Sequence, residues 1–102
     1  MHAVVESKRS QLAAVCSPFG VRRLEVFGSA ARGDFDEARS DIDFLVEFDS
    51  NPKLGTLKAY FGLKEALEAL FGRPVDLVSR DAVDNPYVAA SIDQDRKLLY
   101  AS

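Results

Sequence analysis

Apolar and polar residues alternate along three short stretches of the chain, a pattern typical of β-strands. The predicted strands are residues 21–27, 41–48 and 75–78, and residues 97–100 are expected to add a short edge strand. The second strand shows the alternation most clearly, because Ile42 and Phe44 fall on one face and Asp43 on the other.

Three further stretches have apolar residues at helical spacing. Helices are predicted at residues 3–17, 54–71 and 80–94, the last of them broken near Asn85-Pro86. Gly72 and Pro74 end the second helix, since glycine suits the residue after a helix and proline cannot continue one. A turn is predicted at residues 50–52.

The connections between the strands suggest a topology. The short link between the first two strands favours an antiparallel pair, and the long helix between the second and third favours a right-handed parallel crossover. The pattern therefore predicts an α/β (α+β) fold, in which helices cover a small mixed β-sheet. The predicted strand order is 1-2-3, with the additional edge strand.

Length, charge and composition limit the classes of protein that fit. The 102 residues suit one domain, expected to span residues 1–102. The net charge of -3 and the scattered basic residues argue against a nucleic-acid partner. No apolar run reaches the ~20 residues of a membrane span, and no secretory signal is visible, so a cytoplasmic location away from membranes is expected. Cys16, the one cysteine, is expected in the core, and His2, the one histidine, in a tail.

Acidic residues occupy the polar face of two predicted strands. Asp41 and Asp43 are two positions apart, so both carboxylates leave the same face, with Cα atoms ~6.5–7 Å apart. Asp76 is expected on that face too, because its neighbours Val75 and Leu77 form the buried pair of the next strand. The topology therefore predicts that three carboxylates converge.

Converging carboxylates require a cation or a proton. Two carboxylates roughly 4 Å apart repel by about 4 kcal/mol at an effective dielectric constant of about 20. Oxygen ligands favour hard cations such as Mg²⁺ or Mn²⁺, and two such ions can stabilise both reacting oxygens of a phosphoryl transfer. For Asp41 and Asp43 alone, an exposed strand face without any ligand remains the alternative, because Asp-x-Asp is a common pattern.

The dipeptide Gly28-Ser29 follows the first predicted strand. Glycine lets the backbone approach a ligand closely, and Ser29 is expected to open a short helix whose free N–H groups suit a phosphate. The Ser29 hydroxyl adds a donor, and Arg32 is placed to offer a counter-charge to a triphosphate. Such dipeptides also start helices that bind nothing, so this motif gains its weight from the acidic residues.

The segments GSAARG, SDIDFLVEF and PVDLV together closely resemble the minimal nucleotidyltransferases of the DNA polymerase β superfamily. The hallmark of that family is Gly-Ser, a short spacer, Asp-x-Asp and a third carboxylate on a later strand. The resemblance covers residues 20–100 and implies the nucleotidyltransferase fold. Eleven residues separate Ser29 from Asp41, one more than the family pattern, and the extra residue is expected in the loop at residues 34–39.

The resemblance also implies a role for each matching residue. Gly28 and Ser29 match the turn that binds the triphosphate, and Arg32 matches a basic position beside it. Asp41 and Asp43 match the metal ligands. Asp76 matches the third carboxylate, which completes the metal site and helps to activate the nucleophile.

The resemblance implies ATP as the donor, Mg²⁺ or Mn²⁺ as the cofactor and a protein as the acceptor. Minimal family members commonly pair with a small helical HEPN protein, often a ribonuclease toxin, and act as its antitoxin by adenylylating a tyrosine, by masking it, or both. Family members that act on nucleic acid carry further domains, for which this chain has no room. Two alternatives stay open: a non-catalytic module that binds a partner, and an aminoglycoside-type transferase acting as a homodimer. The oligomeric state stays open as well.

Overall fold

The structure, a computed structural model, describes residues 2–34, 36, 38, 41–49 and 55–102. Within them, the strands form one sheet in the order β3-β2-β1-β4. These strands are β1 (Val21–Phe27), β2 (Ile42–Phe48), β3 (Val75–Ser79) and β4 (Lys97–Ala101). β1 runs antiparallel to β2 and β4, and β2 runs parallel to β3. The predicted mixed sheet, its 1-2-3 order and the added edge strand are confirmed.

Five α-helices in the described residues accompany the sheet. They are α1 (Ala3–Glu6), α2 (Leu12–Cys16), α3 (Ser29–Arg32), α4 (Thr56–Phe71) and α5 (Pro86–Asp95). α4 ends at Gly72, whose left-handed conformation (φ 65°) turns the chain toward β3. Asn85 caps the start of α5, and its side chain accepts hydrogen bonds from the N–H groups of Tyr87 and Val88. Pro86 occupies the first helical position, so the predicted break at Asn85-Pro86 is the start of this helix.

The hydrophobic core lies between one face of the sheet and helices α1, α2 and α4. Leu24, Val26 and Phe44 are fully buried on that face. Leu63 and Leu67 of α4 belong to the same cluster. α4 therefore supports β2 and β3 from the core side and leaves the opposite face of the sheet to the acidic residues.

That opposite face is partly covered by α5. Asp43 pairs with Phe27 across β2 and β1, which puts both on the face away from the core. Leu45, two positions along β2, is 3% exposed and lines a cleft with Ile92 of α5. The sequence did not predict this second apolar layer under α5, because Leu45 alternates onto the same strand face as Asp43.

The prediction of one continuous helix over residues 3–17 is wrong. The chain forms α1, a 3₁₀ turn at Arg9–Gln11 and then α2. The Ser7 hydroxyl donates a hydrogen bond to the carbonyl of Val4. The N–H of Lys8 donates to Val5, three residues back, so the α-helical pattern stops there.

The N-terminal segment is nevertheless tied to the rest of the protein. His2 is not in a tail: its Nδ1 accepts from the N–H of Val4 at 3.0 Å, and its own N–H donates to the carbonyl of Ala30 at 2.8 Å. Cys16 is fully buried as predicted, and burial raises the pKa of its thiol to about 12. The segment therefore contacts both the core and α3.

Two predictions fall on residues without a structural description. The turn at residues 50–52 lies outside the described residues, and so do residues 35, 37 and 39 of the loop expected to hold the extra spacer residue. In the described parts of the chain, no helix is long and apolar enough to cross a bilayer.

Candidate active site

Parallel pairing of β2 with β3 brings Asp43 and Asp76 together. The two are direct partners in the register, so their side chains leave the same face of the sheet. Neighbouring strands lie ~4.7–4.9 Å apart, and a hydrogen bond joins the two carboxyl groups. The strand geometry thus juxtaposes two of the three predicted acids, whose catalytic role stays a prediction.

The pKa of Asp43 is raised from 3.8 to about 6. Burial of the carboxyl is the largest cause, followed by the negative charges of Asp76 and Asp41 and by the hydrogen bond to Asp76. The positive charge of Arg32 acts in the opposite direction. The raised pKa shows that the ionised form of Asp43 is disfavoured relative to a free carboxyl, and a cation bound between the two acids would relieve this repulsion.

Asp41 lies just outside this pair. It precedes β2, whose first residue is Ile42, and it is exposed. Its charge reaches Asp43, yet the described residues contain no group of three His, Cys, Asp or Glu side chains already arranged to hold a metal ion. The strand was predicted to start at Asp41, and because it starts one residue later, the strand pleat does not fix the direction of the Asp41 side chain.

The turn at Gly28 packs directly against Asp43. Gly28 has φ 69° and ψ −152°, a conformation that suits glycine. A Cβ atom at this position would lie 2.4 Å from Oδ2 of Asp43. The Gly28 carbonyl accepts hydrogen bonds from the N–H groups of Ala31 and Arg32, each at 3.1 Å. These bonds form the helical turn that begins at Ser29. Glycine therefore allows the predicted phosphate turn and the acid pair to sit in contact.

Arg32 is the last residue of α3, the short helix that follows the Gly28 turn. Its Nη1 lies 2.7 Å from Oδ2 of Asp95, and its Nε lies 3.3 Å from Oδ2 of Asp34. Hydrogen bonds to Asp95 and then to Asp34 raise the pKa of Arg32. Neither partner was predicted from the sequence. Asp34 is a near neighbour and could have been considered, whereas the place of Asp95 depends on how α5 packs.

Side chains of α4 hold β3 on both sides of Asp76. The Glu68 carboxylate accepts a hydrogen bond from the N–H of Val75 at 3.1 Å. The Tyr60 hydroxyl donates to the carbonyl of Leu77. Because β3 is at the edge of the sheet, these contacts occupy backbone groups that no strand pairs with. Tyr60 shares the helical spacing of the apolar residues of α4, so the sequence did not indicate this role.

A buried carboxylate organises the remainder of this sheet face. Glu25 is 3% exposed. Arg23 and Arg96 each approach it to 3.2 Å, and Arg80 approaches it to 4.0 Å. Opposite charges of this kind offset the cost of burying an acid. A cleft of about 110 Å³ lies beside this cluster, lined by Leu45, Arg80, Val83, Ala89, Ile92 and Asp93.

Comparison with known sequences gives consistent matches. The model of the nucleotidyltransferase domain family matches residues 8–99. A Methanocaldococcus jannaschii protein, provisionally named a protein adenylyltransferase, is 43% identical over 82 residues, which are 80% of this chain and 78% of that protein. Protein adenylyltransferase MntA of Thermococcus cleftensis is 49% identical over 65 residues, 64% of this chain and 62% of that protein.

Solved structures share the fold. One described provisionally as a minimal nucleotidyltransferase has a TM-score of 0.77 at 34% identity and covers 95% of both chains. A toxin-antitoxin structure with AMP-PNP has a TM-score of 0.69 at 20% identity, covering 92% of this chain and 73% of that one. A tri-AMPylated HEPN toxin of Shewanella oneidensis in complex with an MNT antitoxin matches with a TM-score of 0.64 at 17% identity, covering 95% and 72%.

These last two likenesses concern the fold alone, whereas the family match spans nearly the whole sequence. It confirms the class of enzyme that the motifs implied, and the matched residues include both the acid pair and the Gly28 turn. On the match over residues 8–99, the chain belongs to the nucleotidyltransferase domain family.

Proposed function

We propose that the chain passes AMP from ATP to a hydroxyl group of a partner protein. The observation that carries the proposal is the direct pairing of Asp43 with Asp76 beside the turn at Gly28. The family supplies the reaction class. Relatives named as protein adenylyltransferases favour AMP as the transferred group and a protein as the acceptor.

The donor atoms of the site suit a hard divalent cation. Asp43 and Asp76 offer only oxygen ligands, which favour Mg²⁺ or Mn²⁺. The raised pKa of Asp43 reflects crowded negative charge, which a cation would relieve. We propose that Asp41 turns inward to complete this ligand set. Such an ion, when bound, polarises the phosphate and neutralises charge that develops during transfer.

We assign each protein group a separate task on the basis of the strand order. Gly28 and Ser29 lie at the β1 side of Asp43, where backbone N–H groups and a hydroxyl can bind the outer phosphates, with Arg32 as counter-charge. Asp76 lies at the β3 side, where it takes the proton of the acceptor hydroxyl.

This arrangement suits an in-line displacement at the α-phosphorus. The acceptor oxygen bonds to that phosphorus while the bond from phosphorus to the bridging oxygen breaks. Pyrophosphate leaves on the side of Arg32, opposite Asp76. The products are an AMP ester of the partner, pyrophosphate and the proton held by Asp76.

A small helical HEPN-type protein is the partner that the comparisons favour. Two solved structures with this fold contain a toxin and an antitoxin. One of them holds AMP-PNP, and the other holds a tri-AMPylated HEPN toxin. We propose that this chain acts as the antitoxin of such a pair, by modifying the partner, by masking it, or both. Both ATP and a protein acceptor are available in the cytoplasm, which is the location we propose.

The test measures transfer of label to the protein whose gene lies beside the gene of this chain. The two proteins are mixed with Mg²⁺ and with ATP labelled at either the α- or the γ-phosphorus. We expect label on the partner from α-labelled ATP only, because the γ-phosphate leaves with pyrophosphate. Asp43→Asn should lose the label, and Asp49→Asn, an exposed acid at the other end of β2, should retain it.

The outcomes separate the alternatives. Stable association of the two proteins without label supports the non-catalytic module and contradicts the proposal. Label on an aminoglycoside but on no protein supports the small-molecule transferase, whose acceptor site a homodimer would form. Label from the γ-position would indicate a kinase reaction and would also contradict the proposal.

A further inference from the structure

Arg32 is joined to the last residue of α5 by one short ion pair. Its Nη1 lies 2.7 Å from Oδ2 of Asp95, which is 63 positions away in the sequence. Charge-assisted bonds of this length are the strong ones. The Asp95 side chain is 17% exposed, whereas that of Asp34, the other partner, is 63% exposed. Asp95 is therefore the more sheltered of the two carboxylates.

The end of α5 that carries Asp95 is fixed to the sheet. Nη1 of Arg96 donates to both carboxylate oxygens of buried Glu25, at 3.2 and 3.4 Å. Nε of Arg96 lies 3.0 Å from Asp93, and Ile92 is 5% exposed. Because Asp95 lies between these anchored residues, its carboxylate is held in a defined place relative to β1.

The guanidinium of Arg32 keeps donors for a ligand. It has five N–H groups, and its contacts with Asp34 and Asp95 use Nε and Nη1. Its side chain is 47% exposed, and its positive charge acts on Asp43. A guanidinium in this position can bind phosphate oxygens through Nη2 without releasing either carboxylate.

We propose that Asp95 is a positioning residue that aims Arg32 at the outer phosphates of the nucleoside triphosphate. This inference rests on the proposed function. It implies that α5 contributes to binding of the triphosphate and not of the nucleoside. Without the carboxylate of Asp95, Arg32 would sample more rotamers, and ordering it on binding would cost affinity. Asp34 lies two residues after Arg32 and is the more exposed carboxylate, so it gives a looser restraint.

The experiment is calorimetric titration of the full chain with ATP and with AMP, both in Mg²⁺. We expect Asp95→Asn to weaken ATP binding by about fivefold to twentyfold, the effect of one charge-assisted contact. AMP lacks the outer phosphates, so its affinity should change by less than about twofold. Asp34→Asn should have a smaller effect on ATP, and Asp95→Glu should restore part of the loss.

A double-mutant cycle separates positioning from a general effect on the fold. In an Arg32→Ala background, Asp95→Asn should cause no further loss of ATP affinity, because its target is gone. Asp93→Asn, on the same helix, is the matched control. The Asp93 side chain is 54% exposed, and Arg96 keeps its bonds to Glu25 in this variant, so the ratio of ATP to AMP affinity should stay unchanged.

The inference would be overturned by equal losses for ATP and AMP, by additive losses in the cycle, or by tighter ATP binding by Asp95→Asn, which would make Asp95 a competitor of the phosphates. A wild-type protein that binds no ATP would overturn the proposed function together with this inference. A wild type that binds ATP and an Asp95→Asn variant that binds it equally well would overturn the inference alone.

Discussion

The two sides of the candidate site are held in different ways. On the β3 side, Asp43 and Asp76 are placed by strand register, and α4 fixes the backbone around Asp76 through Tyr60 and Glu68. On the α3 side, Arg32 is placed by side-chain ion pairs. Backbone hydrogen bonds fix the positions of the strand residues directly, whereas an ion pair restrains a flexible side chain and is weakened by salt.

This difference separates the two parts of the proposed reaction. The group that takes the acceptor proton requires accurate placement, which the sheet supplies. The group that meets the outer phosphates contributes to binding, for which the ion pair with Asp95 restricts its rotamers. We therefore expect changes on the strand side to affect the rate of transfer, and changes on the α3 side to affect the affinity for ATP.

The largest expected effect is on the strand side. Asp76→Asn should slow AMP transfer by a factor on the order of 10³ or more, because it removes a ligand charge and the proton acceptor together. Asp76 is exposed, so the fold should be unaffected. Initial rates with α-labelled ATP, beside Asp49→Asn as control, measure this effect. A rate close to wild type would show that the strand pair is not catalytic.

Gly28→Ala should have the next largest effect, because it disturbs the contact between the two sides. The new Cβ would lie 2.4 Å from Oδ2 of Asp43, at φ 69°. We expect about 1–3 kcal/mol of lost stability. Displacement of the Asp43 carboxylate should reduce transfer about a hundredfold.

Gly33→Ala is the matched control for that change. Gly33 also has a positive φ, 92°, but a Cβ there meets nothing within 4 Å. It should share the loss of stability from backbone strain and keep its transfer activity. Equal activity losses in both variants would mean that strain alone, and not contact with Asp43, explains the need for glycine at Gly28.

Tyr60→Phe tests the support of β3. The change leaves the carbonyl of Leu77 without its donor and should reduce the free energy of unfolding by about 0.5–1.5 kcal/mol. Transfer should slow while the Kd for ATP stays unchanged. Urea unfolding and calorimetry measure the two quantities. Tyr87→Phe, at a side chain 85% exposed, should alter neither. A change in ATP affinity alone would contradict the expectation that the strand side governs the rate of transfer.

The smallest effect concerns the dependence of stability on pH. The pKa of Asp43 is raised from 3.8 to about 6, so between these values the folded protein holds a proton that the unfolded chain has released. Stability of the wild type should therefore fall as the pH rises through this window. In metal-free buffer above it, Asp43→Asn should be the more stable protein by about 1 kcal/mol, allowing for the partial exposure of the carboxyl.

Urea unfolding on both sides of this window measures that difference in stability. Below the window, where the carboxyl is protonated in both states, the advantage of Asp43→Asn should disappear. A constant difference across the whole range would assign the effect to packing and not to charge.

Much of the sheet could be predicted because its determinants are local. β1 was predicted with the bounds it has, and β2 within one residue. The neighbourhood of Asp43 and Asp76 followed from the parallel crossover. The roles assigned to Asp41, Asp43, Asp76, Gly28, Ser29 and Arg32 remain predictions.

The incorrect and missing predictions have two physical causes, which are local hydrogen bonds that helical spacing does not reveal and packing between distant segments. The residues 3–17 carry helical spacing, yet the hydrogen bonds of Ser7 and Lys8 end the first helix early. Asp95 reaches Arg32 only because α5 is anchored over the sheet, and Glu25 is buried only because arginines from separate elements surround it. No periodicity within one segment encodes such contacts.

The most direct measurement is the melting temperature of the wild type and of Asp43→Asn with ATP alone, Mg²⁺ alone and both together. The account predicts that both ligands together stabilise the wild type, by about 2.7 kcal/mol at a ligand concentration a hundredfold above Kd, and that Asp43→Asn loses most of this gain while Asp49→Asn keeps it. A wild-type protein that Mg²⁺ and ATP leave unchanged, or an Asp43→Asn variant stabilised as much as the wild type, would contradict it.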